Sequence, residues 1–393
     1  MNLMLSSFKW RKIFLLYFSL LSFSAFSQLE NIPPNQDTAF LIESKVLHQP
    51  RSIWVHLPEG YSPSQSYPVL YLLDGDAHFK YVSQLTDYLS DYDRNRIPKI
   101  IVVGIVNIDR GKDLNIHYDL LNGKKDLSKI SVSEGSGKFL KFIELEVVPQ
   151  INSRFKTQPY RILMGHSLAG EFAFYTKNTL PGLFQAIILI SPAIHDENSS
   201  LIGDFSKMLQ RKDLKGKMYI SLGDENTQKV NLITEQLRRF APASFEWDFR
   251  HYKEEDHFSV TYKSMFDGLK FIYKNWFFDN YSSTLMTPEE IQQRFESLSK
   301  EFGYPIQPTE DFVNNRGYKQ LRAGNIDIAL NLFQQNVRNY PDSWNAYDSL
   351  GEVYMKKGDK KSAIENYKKS LQLNSDNADG KKILEQLQSG NKN

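Results

Sequence analysis

The sequence predicts an α/β fold, a mostly parallel sheet of about eight strands with helices on both faces, followed by an all-α region. Three observations carry this. Short β-rich runs alternate with amphipathic stretches from about residue 38 to 280. The middle runs are apolar almost throughout, as strands covered on both faces must be. The C-terminal part repeats itself at a spacing of 34 residues.

The strand candidates are AFLIESKVL, SIWVHL, PVLYLL, IIVVGIV, RILMG, AIILIS, MYISLG and FEWDFRHY. SIWVHL and FEWDFRHY alternate apolar with polar residues, the pattern of strands nearer an edge or a surface. Helices are expected in GKFLKFIELEVVPQI and from Ser259 to Asn275, the latter with Tyr262, Phe266, Leu269 and Ile272 as its buried stripe.

Residues 1–27 have the form of an export signal. Lys9, Arg11 and Lys12 precede an apolar run from Ile13 to Leu21, and small residues Ala25 and Ser27 follow, so cleavage before Gln28 is expected. The run is shorter than the roughly 20 residues a membrane span needs, so no integral membrane segment is expected after signal removal and the mature protein should be periplasmic or secreted. There are no cysteines, which excludes disulfides, a thiolate nucleophile and cysteine-based metal sites. With 48 Lys+Arg against 46 Asp+Glu, nothing in the charge balance points to a nucleic-acid partner.

After residue 280 the pattern changes. Thr287 is an expected N-cap with Pro288 in the first helical position, so a helix should run to about Lys300, and FGYPIQPTE then breaks it with two prolines. Residues 281–309 are therefore expected to be a linker helix and loop. Beyond it Gly324, Ala329, Phe333 and Pro341 recur as Gly358, Ala363, Tyr367 and Ser375. WNAYDSLGEVYMKKGDKKSAIENYKKSLQLNSDN resembles a tetratricopeptide repeat, with Leu350, Gly351, Tyr354, Ala363 and Tyr367 at that family's packing positions. The first copy has Arg316 where the pattern prefers leucine. Residues 310–393 are thus expected to form two repeats plus a capping helix, a possible binding site for a protein partner.

The chemistry centres on RILMGHSLAGEFAFY, residues 161–175. A strand, a turn with one serine between small residues, and a helix is the context of a nucleophile elbow, which lifts a serine hydroxyl to a helix N-terminus. Ser167 is the expected nucleophile, and the backbone N–H of Leu168 the first oxyanion donor. Alanine stands at position 169 where glycine is usual, and Gly170 follows.

A serine hydroxyl needs a base, which in this fold should follow the serine and an acid in chain order. Of His195, His251 and His257, only His257 lies in a polar turn between the last strand and the last helix. The acid should follow the preceding strand, where MYISLGDEN offers Asp224 and Glu225; Glu225 is preferred, and Asp256 is a weaker candidate. The second oxyanion donor is expected from the loop after PVLYLL, at Gly75 and Asp76.

In order, SIWVHLPEGY, YPVLYLLDGDAHF, VVGIVNIDRGKDL, RILMGHSLAG, ISLGDEN and HFSV resemble the Putative esterase family of α/β hydrolases, nearest to its siderophore-esterase-like and esterase D-like branch. The resemblance covers roughly residues 40 to 278. It implies an α/β-hydrolase fold in domain 28–280, carboxylic ester hydrolysis, Ser167 as nucleophile and His257 as base. In that branch the acid can be missing or displaced.

NIDRGKDLN looks like that branch's arginine-bearing loop beside the cleft. Arg110 could there meet an anionic substrate group, or pair with Asp109 or Asp113 instead. His166, presented beside the serine, is also expected to contact substrate. Loop 107–137 is expected to form part of a cap over the cleft. The expected activity is an exported serine esterase acting through an acyl-enzyme, on siderophore or acylated-carbohydrate esters, with no metal or organic cofactor required. An acyltransferase with the same residues, or a non-catalytic tetratricopeptide-repeat scaffold, are the alternatives.

Overall fold

The computed structural model of the protein describes residues 37–91, 94–116, 134–194, 200–277 and 285–389. The expected export signal, His195 and most of the expected cap loop lie outside the described residues. The chain divides into two units between Lys274 and Asn275.

The first unit is built on one eight-stranded sheet: β1 (Asp37–Ser44), β2 (Gln49–His56), β3 (Tyr67–Leu72), β4 (Ile101–Ile105), β5 (Thr157–His166), β6 (Ala186–Ile190), β7 (Gly216–Leu222) and β8 (Phe245–His251). Its order is β1-β2-β4-β3-β5-β6-β7-β8. β2 is antiparallel to both its neighbours and every other pair is parallel. β3, β4 and β6 are buried along their whole length, which is why their sequences read as unbroken apolar runs.

Helices α1 (Gly75–Ser90), α2 (Arg110–Leu114), α3 (Glu134–Phe142), α4 (Val148–Arg154), α5 (Leu168–Thr179), α6 (Ser200–Leu209), α7 (Gln228–Phe240) and α8 (Val260–Ile272) complete the unit. The stretch expected as one helix in GKFLKFIELEVVPQI is split by a π turn at Ile143–Val147, with Pro149 in the first turn of α4.

In α8 the expected stripe is corrected. Leu269 and Ile272 are buried, but Tyr262 is 54% exposed, and the face against the sheet is completed by Val260, Ser264, Met265 and Gly268. Small residues let this helix approach closely: a Cβ at Gly268 would lie 2.9 Å from Ile188. An apolar stripe marks only where large side chains recur, so a face made of small residues escapes it.

Chain order also locates a crevice. β3 lies between β4 and β5, so the connection from β3 to β4 runs one way along the sheet and the connection from β4 to β5 runs the other. That reversal opens a crevice beyond the carboxyl ends of β3 and β5, the place where open α/β sheets bind ligands.

The second unit is helical: α9 (Pro288–Phe302), α10 (Glu310–Arg322), α11 (Ile326–Asn339), α12 (Trp344–Lys357), α13 (Lys360–Leu373) and α14 (Ala378–Ser389). Thr287 and Glu290 form a reciprocal capping box at the start of α9. α9 lies in the segment expected as a linker, yet it buries Ile291, Phe295, Leu298 and Phe302 and sets Phe295 edge-on to Phe312 of α10. α10–α11 and α12–α13 are two helical hairpins, and α14 follows them. Arg316, at the position where the repeat pattern prefers leucine, is buried with its guanidinium 5.0 Å from the Phe312 ring.

Candidate active site

Ser167 follows β5 directly and precedes the first residue of α5. Its φ of 58° and ψ of −120° belong to a region glycine dominates. Three backbone hydrogen bonds hold it there: its N–H donates to Ile190 O (2.8 Å), and its carbonyl accepts from Ala193 (3.0 Å) and Glu171 (3.1 Å). The turn also needs Gly165, because a Cβ at that position would sit 2.3 Å from the Ala169 carbonyl oxygen. Ala169 itself is fully buried, so its methyl is accommodated.

The β3–α1 junction lies beside this turn. Leu72 pairs with Met164 across the two strands, and the Leu73 N–H donates to Met164 O at 3.0 Å. α1 begins at Gly75, and Asp74 before it adopts φ 52°. The N-termini of α1 and α5 therefore follow adjacent strands at the same sheet edge. The first N–H groups of a helix have no intrahelical acceptor, so Gly75 and Asp76 on one side and Leu168 on the other bring unsatisfied donors and positive dipole ends there.

His257 arrives from the loop after β8. Its Nε2 lies 3.0 Å from Ser167 Oγ, and its Nδ1 lies 3.0 Å from Glu225 Oε2. With Nδ1–H donating to the carboxylate, Nε2 is left to accept the serine proton. The acid and base loops are stitched together at Gly223: a Cβ there would fall 2.7 Å from Asp256 O, and the Asp224 N–H donates to Glu255 O at 2.6 Å. This stitching separates the two adjacent carboxylates. Glu225 turns to the imidazole, whereas the Asp224 side chain is exposed, so the expectation that Asp224 might hold the base is corrected. Asp256 closes its own turn, accepting from the N–H groups of Phe258 (2.8 Å) and Ser259 (2.7 Å). Those backbone bonds hold its carboxyl below the usual range.

Arg110 pairs with neither Asp109 nor Asp113. Its Nε and Nη2 donate to the two carboxylate oxygens of Asp74, at 2.7 and 2.9 Å, and Nη2 also reaches the His166 carbonyl at 3.3 Å. The hydrogen bond and charge of Asp74 hold the guanidinium firmly protonated. Asp109 caps α2 by accepting from the Lys112 N–H, and Asp113 is taken by buried Arg51 at 2.7 Å. Local spacing could not find Asp74, which lies 36 positions upstream across the crevice. His166, expected to contact substrate, lines the cleft, and its Nε2–H donates to the His257 carbonyl at 2.8 Å.

Ser167, His257, His166 and Arg110 border a cleft of about 670 Å³. One wall is polar, formed by Asp74, Asp76, Asn107 and Arg110. The other carries Phe258, which is 76% exposed, and Tyr262, whose ring packs on Tyr81. Tyr262 and Phe258 are cleft residues that sequence reasoning misses: the first falls on the apolar stripe of α8, and the second carries no signal beyond adjacency to His257.

Comparison with known proteins agrees with this architecture. The tetratricopeptide repeat model matches residues 344–377. Among curated relatives, the ferri-bacillibactin esterase of Bacillus subtilis is 24% identical over 192 residues, covering 46% of this chain and 63% of that protein, less than two thirds of its length. A solved IroE-like serine hydrolase from Shewanella oneidensis is 26% identical with a TM-score of 0.64, covering 76% of this chain and 99% of that one. An uncharacterised protein of Capnocytophaga ochracea shares the fold over 90% of this chain and all of its own, at 19% identity and a TM-score of 0.66. The model of the Putative esterase family matches residues 44–262, from the end of β1 to the first turn of α8. That is more than half of the chain, and the chain belongs to the Putative esterase family.

Proposed function

We propose that the protein is a serine hydrolase of carboxylic esters. The observation that carries this is the line of three groups at the carboxyl edge of the sheet, Ser167 Oγ to His257 Nε2 and His257 Nδ1 to Glu225, each link 3.0 Å. Ser167 attacks the ester carbonyl as His257 takes its proton, and the alkoxide charge on the carbonyl oxygen is met by the N–H groups of Leu168 and Asp76. His257 then protonates the leaving alcohol, and Glu225 holds the imidazole in the right tautomer throughout. Water, activated by the same histidine, attacks the acyl-enzyme and regenerates the serine.

The substrate reading is a siderophore or acylated-carbohydrate ester, met by an exported enzyme. The relation to a ferri-bacillibactin esterase supports the first class, and the basic-then-apolar N-terminal segment supports export. The repeats of the second unit are read as a surface for a protein partner.

Covalent labelling by a fluorophosphonate probe tests the central reading. One labelled peptide containing Ser167 is expected, and a protein that resists the probe is no serine hydrolase. A panel of catecholate siderophore esters, feruloylated or acetylated sugars and simple acyl esters then ranks substrates, and N-terminal sequencing of the recovered protein checks cleavage before Gln28.

A further inference from the structure

Behind Ser167 runs a chain of contacts that the proposed reaction does not itself use. The His166 side chain is buried, with its residue only 8% exposed, and its Nε2 meets the His257 carbonyl at 2.8 Å. A carbonyl only accepts, so Nε2 carries the proton and the ring is the neutral Nε2–H tautomer. Burial pushes its pKa down to about 4, so the ring remains neutral beside His257, whose ring centroid is 4.8 Å away. A cation there would oppose the imidazolium that His257 becomes during turnover.

The main chain of His166 is held from the other side. Its carbonyl accepts from Arg110, which Asp74 grips with both carboxylate oxygens, and Asn107 donates to Asp74 (2.7 Å) and Asp76 (2.9 Å). The series therefore links the start of α1, the Ser167 turn and the loop of His257, the three segments that must stay in register. His257 has no neighbour in sequence able to do this, because it reaches Ser167 from a strand three positions further along the sheet.

We infer that His166, braced by the Arg110–Asp74 pair, is a positioning residue that fixes the His257 main chain against the Ser167 turn and is not a contact for substrate. The inference rests on the serine hydrolase reading. A reacting group displaced by about 1 Å can lose about 100-fold in rate, which is the scale on which one main-chain hydrogen bond could matter here.

The test compares His166→Leu, which removes the donor at similar size, with His166→Gln, whose Nε2–H can replace it, in the full chain acting on p-nitrophenyl acetate. The leucine variant should lose about 10- to 100-fold in kcat with KM within about twofold, and its rate of fluorophosphonate labelling should fall in parallel. Glutamine should recover most of the loss. A raised KM at unchanged kcat would make His166 a substrate contact and overturn the inference, as would a glutamine variant no better than leucine.

Should the leucine variant not fold, ¹⁵N-histidine NMR of the wild type decides: a slowly exchanging Nε2–H on His166 is expected, and an Nδ1–H tautomer overturns the proposal. The two readings fail separately. A wild type that resists the probe sinks the hydrolase, whereas a labelled wild type matched in rate by the leucine variant sinks only the role of His166.

Discussion

The two units of the chain use the left-handed half of backbone space in opposite ways. In the helical unit, α9 and α12 end on glycines, Gly303 at φ 76° and Gly358 at φ 84°, where no side chain opposes the turn. In the sheet unit, Asp74, Ser167 and Ser191 carry side chains at φ 52°, 58° and 38°, and they follow β3, β5 and β6, three adjacent strands. A helix end of this kind needs only a stop, for which glycine is the least costly residue. The sheet edge keeps oxygen-bearing side chains at three positions where glycine would be easier, beside two other non-glycine residues at positive φ in this unit, His48 and Asn95, and surrounding hydrogen bonds hold the Ser167 turn.

The sharpest way to break this comparison is to remove the chemistry and keep the strand ends. Ser167→Ala and His257→Ala should each reduce turnover of p-nitrophenyl acetate by about 1,000-fold or more while circular dichroism stays unchanged, because the two act as a unit. Near-normal turnover in either would make the strained turn a structural accident. Next in size, Glu225→Ala should cost about 100-fold or more in kcat, whereas Asp224→Ala should stay within about twofold. The reverse order would name the exposed carboxylate as the orienting acid.

In the helical unit the largest effect should come from Gly317→Ala. Its Cβ would lie 2.5 Å from the Phe333 ring, and the overpacked hairpin should lose about 1–3 kcal/mol in urea unfolding. A smaller pair of substitutions inverts the comparison. Ser167→Gly should be about 1 kcal/mol more stable than Ser167→Ala, and Gly358→Ala should be about 1 kcal/mol less stable than wild type. If both serine variants unfold at the same urea concentration, the turn stores no strain.

The smallest expected effect depends on pH. His56 joins β2 to Asp37 of β1 (2.6 Å) and Asp87 of α1 (3.0 Å). Burial alone would lower its pKa, but the hydrogen bonds and charges of Asp87 and Asp37 outweigh it and the pKa is raised. A raised folded pKa stabilises most fully below about pH 6.5, the ordinary histidine value, and that contribution is lost as pH rises through the folded value. The stability gap between wild type and His56→Gln should therefore shrink with rising pH. A gap that widens would reverse the sign.

Much of the fold was legible because its signals are local. Strands covered on both faces must be apolar at every position, so β3, β4 and β6 stand out in the sequence, and the 34-residue period exposes the hairpins of the second unit. The turn at Ser167 was legible for the same reason, since a strand, two small residues and a helix follow within fifteen positions. The buried face of α8 was not, because three of its seven buried residues are serine, threonine and glycine, which carry no apolar period. For Arg110 the sequence offers an anionic substrate group or its neighbours Asp109 and Asp113, whereas its partner Asp74 comes from the end of another strand.

By itself, then, the sequence determined which segments become strands, where the repeats lie, and which serine stands at a strand-to-helix turn. These follow from the period of the chain and the size of its residues. Only the tertiary structure decided that Glu225 and not Asp224 meets His257, that Arg110 grips Asp74, and that His166 turns its ring to the main chain of His257. The reason is geometric. Two neighbours in a loop have the same local chemistry, and which of them faces an imidazole 32 residues away depends on the register of β7 against β8 and on the close approach that Gly223 permits.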